Sequence, residues 1–248
     1  MRKRIKPIVV YVVLALLGLA LVIANIHNTS KQQAHLQNVK SAIPYATTPK
    51  TTTSSTSDSS DEELILNPII DLSGWQLPQD IDYDVLSNHI SGAIVRVFGG
   101  SQISKDSNAA SSNGVDKSFK THIKELKKRD VPVAVYSYAQ GTSVKEMKEE
   151  ARIFYKNASP YKPTYYWIDV EEETMSNMEQ GVQAFLAELK RLGAEKVGLY
   201  IGAYFMLEQE VSTKNFDAVW IPAYGTDSGY YEALPNTEID YDLHQYTS

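Results

Sequence analysis

The stretch YYWIDVEEE, residues 165–173, joins an apolar run to a cluster of acids. Aromatic and β-branched residues that end this abruptly predict a strand over residues 164–170, followed by a loop. Because side chains two residues apart on a strand project to the same face, Asp169 and Glu171 should point to one place. Two like charges in a partly desolvated cleft raise the proton affinity of one of them, which sets an acid beside a base. We therefore predict chemistry at Asp169 and Glu171, and a solvated loop at the two glutamates that follow.

Apolar runs and amphipathic stretches alternate on both sides of this segment. Strands are predicted over residues 68–72, 93–98, 131–138, 164–170, 196–201 and 218–222. Helices are predicted near residues 83–89, 117–129, 143–157, 177–192 and 203–210. These five strand–helix units are followed by a strand-rich, helix-poor tail that ends in residues 241–246. Wholly apolar strands separated by helices are typical of a parallel sheet that is covered on its outer side.

The expected fold class is α/β, an abbreviated TIM-like β/α barrel. The folded part, residues 64–248, has 185 residues, whereas a full eight-unit barrel typically needs about 250. A doubly wound open sheet is the alternative, but no glycine-rich phosphate turn follows the first strand. The active sites of β/α barrels lie at the C-terminal ends of the strands, which is where Asp169 and Glu171 would be.

A third acid and a set of aromatic residues follow the same pattern. Asp71 ends the first predicted strand, so it should converge with the other two acids on one barrel mouth. Aromatic residues in or just beyond the strands are Trp75, Tyr136, Tyr138, Tyr166, Trp167, Trp220 and Tyr224. Flat rings beside carboxylates suit stacking against sugar rings. Core packing is the alternative for these rings, and it is the favoured one for Trp167 and half of the tyrosines.

Several functional classes are excluded by composition. The chain has no cysteine, which excludes a disulfide framework, a thiol nucleophile and a thiolate metal site. The five histidines are scattered without metal-ligand spacing, so no metal or other cofactor is expected. His89 and His122 fall on predicted helices and are expected at the surface. The net charge of -6 argues against nucleic-acid binding, and no Gly-x-Ser-x-Gly elbow offers a serine nucleophile.

The N-terminal part has the pattern of a membrane anchor and a stalk. Residues 8–24 (IVVYVVLALLGLALVIA) are uncharged and follow four cations, Arg2, Lys3, Arg4 and Lys6. This predicts a single-pass anchor over residues 1–26, with the N-terminus cytoplasmic and the bulk of the chain outside. A cleaved signal peptide is the alternative. Residues 27–63 are predicted to be a disordered stalk, since eleven of the fourteen residues from 47 to 60 are Ser or Thr.

Charge separates these parts from the folded domain. Residues 1–63 contain seven Lys or Arg and four Asp or Glu, a net charge of +3. Residues 64–248 contain 17 Lys or Arg and 26 Asp or Glu, a net charge of -9. The net charge of the whole chain therefore understates how acidic residues 64–248 are.

Seven segments, in order, resemble glycoside hydrolase family 25, the lysozymes known from fungi and bacteriophages. They are IIDLSGWQ (69–76), IDYDVL (81–86), GAIVRVFGG (92–100), VPVAVYSYAQG (131–141), WIDVEE (167–172), KVGLYIGAYF (196–205) and AVWIPAYG (218–225). The segment HQYTS (244–248) resembles the family's closing Trp-Gln-Tyr-Ser strand, with His244 in place of the tryptophan. Family 18 chitinases also have an Asp-x-Glu pair, but they place another aspartate two residues before it, where this sequence has Trp167. The sequence therefore disfavours a family 18 chitinase.

The resemblance implies hydrolysis of the β-1,4 bond between N-acetylmuramic acid and N-acetylglucosamine in peptidoglycan, without a cofactor. It implies a barrel of five strand–helix units completed by three further strands. Glu171 would be the general acid, Asp169 would assist the substrate acetamide or the developing cation, and Asp71 would support them. Substrate-binding roles would fall to Arg96, Tyr136, Tyr138, Trp220, Tyr224 and Gln245.

Together these observations predict a membrane-anchored bacterial N-acetylmuramidase whose domain, residues 64–248, faces the cell wall. The partners would be peptidoglycan glycan strands and the membrane. One alternative is a non-catalytic peptidoglycan-binding or envelope-assembly subunit that retains the fold. Another is a component of an envelope-spanning machine, for secretion or conjugation, that opens the wall locally.

Overall fold

The computed structural model describes residues 67–248. The predicted anchor and stalk, residues 1–63, lie outside the described residues. Within residues 67–248, no helix is long and apolar enough to cross a membrane.

Seven strands form one sheet, in which every neighbouring pair is parallel and the spatial order follows the chain. The strands are β1 (Ile69–Leu72), β2 (Gly92–Phe98), β3 (Val133–Tyr138), β4 (Tyr166–Val170), β5 (Val197–Ile201), β6 (Ala218–Pro222) and β7 (Leu243–Gln245). The sequential order rules out the doubly wound alternative, which requires the strand order to reverse. A side-chain hydrogen bond from Gln245 to Asp71, 3.0 Å long, links β7 to β1. The sheet therefore curls until its first and last strands meet.

One helix follows each of the first five strands, which confirms the five predicted strand–helix units. The helices are α1 (Tyr83–Ser87), α2 (Phe119–Lys127), α3 (Val144–Ala158), α4 (Met178–Leu192) and α5 (Ala203–Glu208). Polar residues fix their starts: Asp82, Ser143 and Asn177 accept backbone N–H bonds at the N-termini of α1, α3 and α4. Gly193, at a φ of 106°, ends α4 in the left-handed conformation that glycine tolerates best.

The two faces of the sheet have separate cores. Residues such as Val135, Ile168 and Leu199 face outward and pack with the helices in the larger apolar cluster. Their chain neighbours face inward, where Ile94, Trp167, Tyr200 and Trp220 form a second cluster. Alternate residues of a strand point to opposite faces of the sheet, and both faces are buried. This is why the strands are apolar throughout.

Two expectations about the fold need correction. Only two strands, β6 and β7, follow the five units in residues 67–248, where three were expected. Within this range β1 and β7 share no backbone ladder, so the barrel has a seam between them.

The second correction concerns His122, which was predicted at the surface and is fully buried. The helix α2 directs the His122 side chain toward β1. The ring accepts a hydrogen bond from the Tyr83 hydroxyl at Nδ1 (2.6 Å) and donates from Nε2 to the Ser73 carbonyl (3.2 Å). Burial lowers the pKa of His122, because a charged imidazolium would lose its hydration.

Candidate active site

Three acids meet at the C-terminal mouth of the barrel. Asp71 lies in β1, Asp169 lies in β4, and Glu171 follows β4 directly. Asp169 points into the barrel and is 6% exposed, whereas Glu171 is exposed at the rim. Electrostatic repulsion from Asp71 is felt at both of the other acids. The parallel sheet produces this convergence, because it places the carboxyl ends of β1 and β4 at one end of the barrel.

Asp169 and Glu171 form a coupled acidic pair. Burial raises the pKa of Asp169 well above its ordinary value, and the neighbouring charge of Glu171 raises it further. Burial also raises the pKa of Glu171, and its hydrogen bond with Asp169 opposes that rise. Asp169 Oδ1 is buried and receives no N–H or O–H from the described residues. This oxygen therefore has no partner within the described residues that would stabilise a negative charge on it.

Asp71 is tied to the last strand through an amide. Gln245 Nε2 donates to Asp71 Oδ2 at 3.0 Å. The Oε1 atom of Gln245 accepts from the hydroxyls of Tyr200 (2.7 Å) and Tyr224 (2.9 Å). Burial raises the pKa of Asp71, and the Gln245 hydrogen bond partly offsets this. The neutral side chain of Gln245 on β7 thus links the tyrosine hydroxyls, one of them on β5, to the Asp71 carboxyl group on β1.

Arg96 is the cation at this mouth, and it is ion-paired. Its Nε lies 3.0 Å from Asp116 Oδ2, and its charge acts on both Asp169 and Tyr136. Tyr136 is its partner in register on β3, and burial raises the pKa of its hydroxyl. Tyr138, two residues further along β3, is half-buried at the rim, and burial raises the pKa of its hydroxyl.

The floor beneath the acids is aromatic. Trp220 is 7% exposed and packs edge-on against Tyr200, with ring centroids 4.6 Å apart, and against Trp167, at 5.7 Å. Trp167 lies two residues before Asp169 on the same strand and is buried. The preference for core packing at Trp167 is confirmed. Trp75, by contrast, is exposed beyond the end of β1.

The nine residues predicted for the site lie in β1, β2, β3, β4, β6 and β7 or just beyond the ends of these strands. Arg96 pairs with Asp116, Gln245 bonds Asp71, and Trp220 packs against Tyr200. Within residues 67–248, no group of three His, Asp or Glu side chains forms a candidate metal site. The acidic pair, Asp169 and Glu171, can donate and accept a proton at the barrel mouth.

Two buried acids that shape the mouth were missed by sequence reasoning. Asp116 binds Arg96, and Glu150 on α3 accepts the backbone N–H groups of Ser101 (2.7 Å) and Gln140 (3.0 Å). Glu150 thereby joins the loops after β2 and β3. A signal existed for Glu150, since it lies three residues after Met147 and four before Phe154, on the buried stripe of its helix. Asp116 directly precedes the predicted start of α2, a position where acids cap helices.

Comparison with known proteins places this geometry in a family. The model for glycosyl hydrolases family 25 matches residues 70–248. GHIP, a glycosyl hydrolase 25 of Streptococcus pneumoniae described as participating in host cell invasion, is 57% identical, with a TM-score of 0.72. The match covers 73% of this chain and 79% of that one. No significant match was found among curated proteins.

Two endolysins are also similar. The catalytic domain of endolysin ply40, from bacteriophage P40 of Listeria monocytogenes, is 28% identical with a TM-score of 0.62, over 73% of this chain and 84% of that one. The modular Cpl-1 endolysin, solved with a peptidoglycan analogue, shares the fold at 17% identity and a TM-score of 0.55, over 72% of this chain and 50% of that one. With the family model covering most of its length, the chain belongs to glycosyl hydrolases family 25 and is a glycoside hydrolase.

Proposed function

We propose that this protein is a peptidoglycan hydrolase that cleaves the β-1,4 bond between N-acetylmuramic acid and N-acetylglucosamine. The observation that carries the proposal is the coupled pair of Asp169 and Glu171 at the barrel mouth. One member is buried with a strongly raised pKa, and the other is exposed at the rim. A carboxyl group whose pKa is raised well above its ordinary value, beside a substrate-facing partner, is what glycoside cleavage requires.

In this mechanism the exposed carboxyl, Glu171, delivers the proton. The two carboxyl groups share one proton, and Glu171 delivers it to the glycosidic oxygen. The bond from the anomeric carbon to that oxygen breaks, and its electron pair leaves with the oxygen. Asp169, now an anion, assists the substrate acetamide or the positive charge at the anomeric carbon. Water adds to that carbon and returns a proton to the pair.

The test is digestion of purified peptidoglycan by the full chain and by Glu171→Gln. New reducing ends are labelled by borohydride reduction and identified by mass spectrometry. We expect ends on muramic acid from the wild type and a loss of about 10²-fold or more in Glu171→Gln, because the amide cannot donate a proton of comparable acidity. Glu173→Gln is the matched control, since Glu173 is exposed in the same loop, and it should retain activity.

Other outcomes decide against this assignment. Ends on glucosamine would mean that the other glycosidic bond is cut. Binding to peptidoglycan without cleavage, unchanged in Glu171→Gln, would identify a non-catalytic peptidoglycan-binding or assembly subunit.

We further propose that residues 8–24 anchor the protein in the cell membrane, with the catalytic domain outside and facing the cell wall. Support comes from the uncharged run of seventeen residues and the four cations before it. The full chain should stay with membranes through an alkaline carbonate wash, and a variant lacking residues 8–24 should not. Recovery of a chain shortened at its N-terminus from the medium would instead indicate a cleaved signal peptide.

A further inference from the structure

Asp116 is a buried carboxylate whose hydrogen-bonding capacity is filled. Its side chain has no exposed surface. Oδ2 accepts from Gly74 N (2.7 Å) and Arg96 Nε (3.0 Å), and Oδ1 accepts from Ser118 N (2.8 Å) and Phe119 N (3.1 Å). Four donors from three separate segments fix the carboxylate in one position. Arg96, whose side chain is 14% exposed, is held by the same carboxylate.

Arg96, the ion-pair partner of this carboxylate, lies on β2, which pairs with β3. It occupies β2 two residues after the inward-facing Ile94, and it faces Tyr136 on β3. Its positive charge reaches Asp169 and Tyr136. The other charged groups acting on Asp169 are Glu171 and Asp71, both negative. Arg96 is thus the cation that counters them, and Asp116 is the anion that counters Arg96.

The balance between these charges determines how tightly the pair holds its proton. An unpaired arginine beside Asp169 would favour the carboxylate and drive the proton off. An absent arginine would leave three acids without a cation. We propose that Asp116 is a positioning residue, which holds Arg96 in place and offsets its positive charge beside the acidic pair of Asp169 and Glu171.

The proposal rests on the proposed function for its activity readout, so a second readout is independent of activity. The dependence of kcat/KM on pH is measured with peptidoglycan for the wild type, Asp116→Asn, Arg96→Gln and Arg96→Lys. In parallel, carboxyl-carbon NMR follows the titration of the acids in each protein. Absence of cleavage by the wild type would count against the proposed function alone, and the NMR titration would still test the charge balance.

We expect Asp116→Asn and Arg96→Gln to shift the pH profile in opposite directions. The part that shifts is the basic limb, where kcat/KM falls as the acidic pair loses its proton. Asp116→Asn removes a negative charge and leaves Arg96 unbalanced, so the basic limb of the profile should move down by about half to one pH unit. Arg96→Gln removes the positive charge, so the limb should move up by a similar amount. Arg96→Lys keeps the charge without the guanidinium geometry, and its limb should stay near that of the wild type.

A purely structural role for the ion pair predicts something different. Both Asp116→Asn and Arg96→Gln would then lower kcat while the limb stays in place or moves in the same direction, and this would overturn the proposal. If Asp116→Asn does not fold, as judged by circular dichroism, the two Arg96 variants decide. An upward shift in Arg96→Gln that Arg96→Lys lacks supports the charge balance, and equal limbs in the two variants refute it.

Discussion

Asp169 shows at the residue scale how a functional group opposes stability. It is buried among other acids, and no N–H or O–H of the described residues reaches its Oδ1. A raised pKa in the folded state means that the folded protein binds the proton more tightly than the unfolded chain does. The linked stability is therefore present at acid pH and is lost as pH rises past about 4, the ordinary value for aspartate.

Asp169→Asn should consequently be more stable than the wild type at pH 7, since on folding the carboxylate must either take up a proton or lose its hydration, and the amide does neither. The expected gain is about 0.5–2 kcal/mol, which corresponds to roughly 2–4 °C in Tm for each kcal/mol. Thermal unfolding at pH 7 and at pH 3.5 checks this, and the two proteins should converge at the lower pH. Asp80→Asn, at an exposed position, is the control. Equal Tm values for Asp169→Asn and the wild type at both pH values would contradict the prediction.

At the scale of elements, the floor of the site depends on the contact between two neighbouring strands. Gly198 of β5 lies in register with Trp167 of β4. A Cβ at Gly198 would overlap the six-membered part of the Trp167 ring. The ring therefore lies flat over the glycine, and it supports Asp169 two residues further along its strand.

Gly198→Ala should displace Trp167 and destabilise the protein by about 1–3 kcal/mol, the usual range for overpacking a core. Activity should fall as well, because Asp169 moves with its strand. Urea denaturation measures the first effect. Gly92→Ala is the matched strand control, since its Cβ would be no closer than 3.5 Å to a neighbouring atom. A loss in Gly92→Ala as large as that in Gly198→Ala would show that alanine is disfavoured in these strands for another reason.

At the scale of the whole molecule, the seam between β1 and β7 is bridged by side chains. A cavity of about 320 Å³ lies along it, lined by residues of both strands and by Ile94 and Trp220 from the barrel interior. The hydrogen bond from Gln245 to Asp71 crosses the seam at the mouth. The other parallel neighbours in the sheet are joined by backbone ladders, so this edge should be the weakest part of the barrel.

Gln245→Ala should loosen the seam and leave the rest of the barrel unchanged. Hydrogen–deuterium exchange followed by mass spectrometry should show faster exchange in peptides covering β1 and β7, with β3 to β5 as protected as in the wild type. Activity should also fall, because Asp71 loses its amide donor. Gln79→Ala, at an exposed position in the short 3-10 helix Pro78–Asp80, is the control. Unchanged protection of both β1 and β7 would show that the seam does not depend on this bond.

Local patterns in the sequence determined the elements and the central acids. Each strand and helix was predicted to within a few residues, because periodicity and capping residues act over one element. Asp71, Asp169 and Glu171 were identified for the same reason, since an acid at the end of an apolar strand is visible locally. The number of closing strands and the burial of His122 were predicted wrongly, because both depend on how distant elements pack.

The tertiary structure alone decided how these acids are supported. Gln245 reaches Asp71 across 174 residues of sequence, and Asp116 receives Gly74 N across 42. Arg96 was predicted to bind the substrate from the family resemblance, and only the structure pairs it with a buried carboxylate, Asp116. Desolvation also separates Asp169 from Glu171, two residues apart and chemically alike, by burying one and exposing the other. Contacts between residues so distant in the chain form only when the barrel has closed, and so does the burial that shifts a pKa. A strand that ends in acids, by contrast, can be recognised from consecutive residues of the sequence.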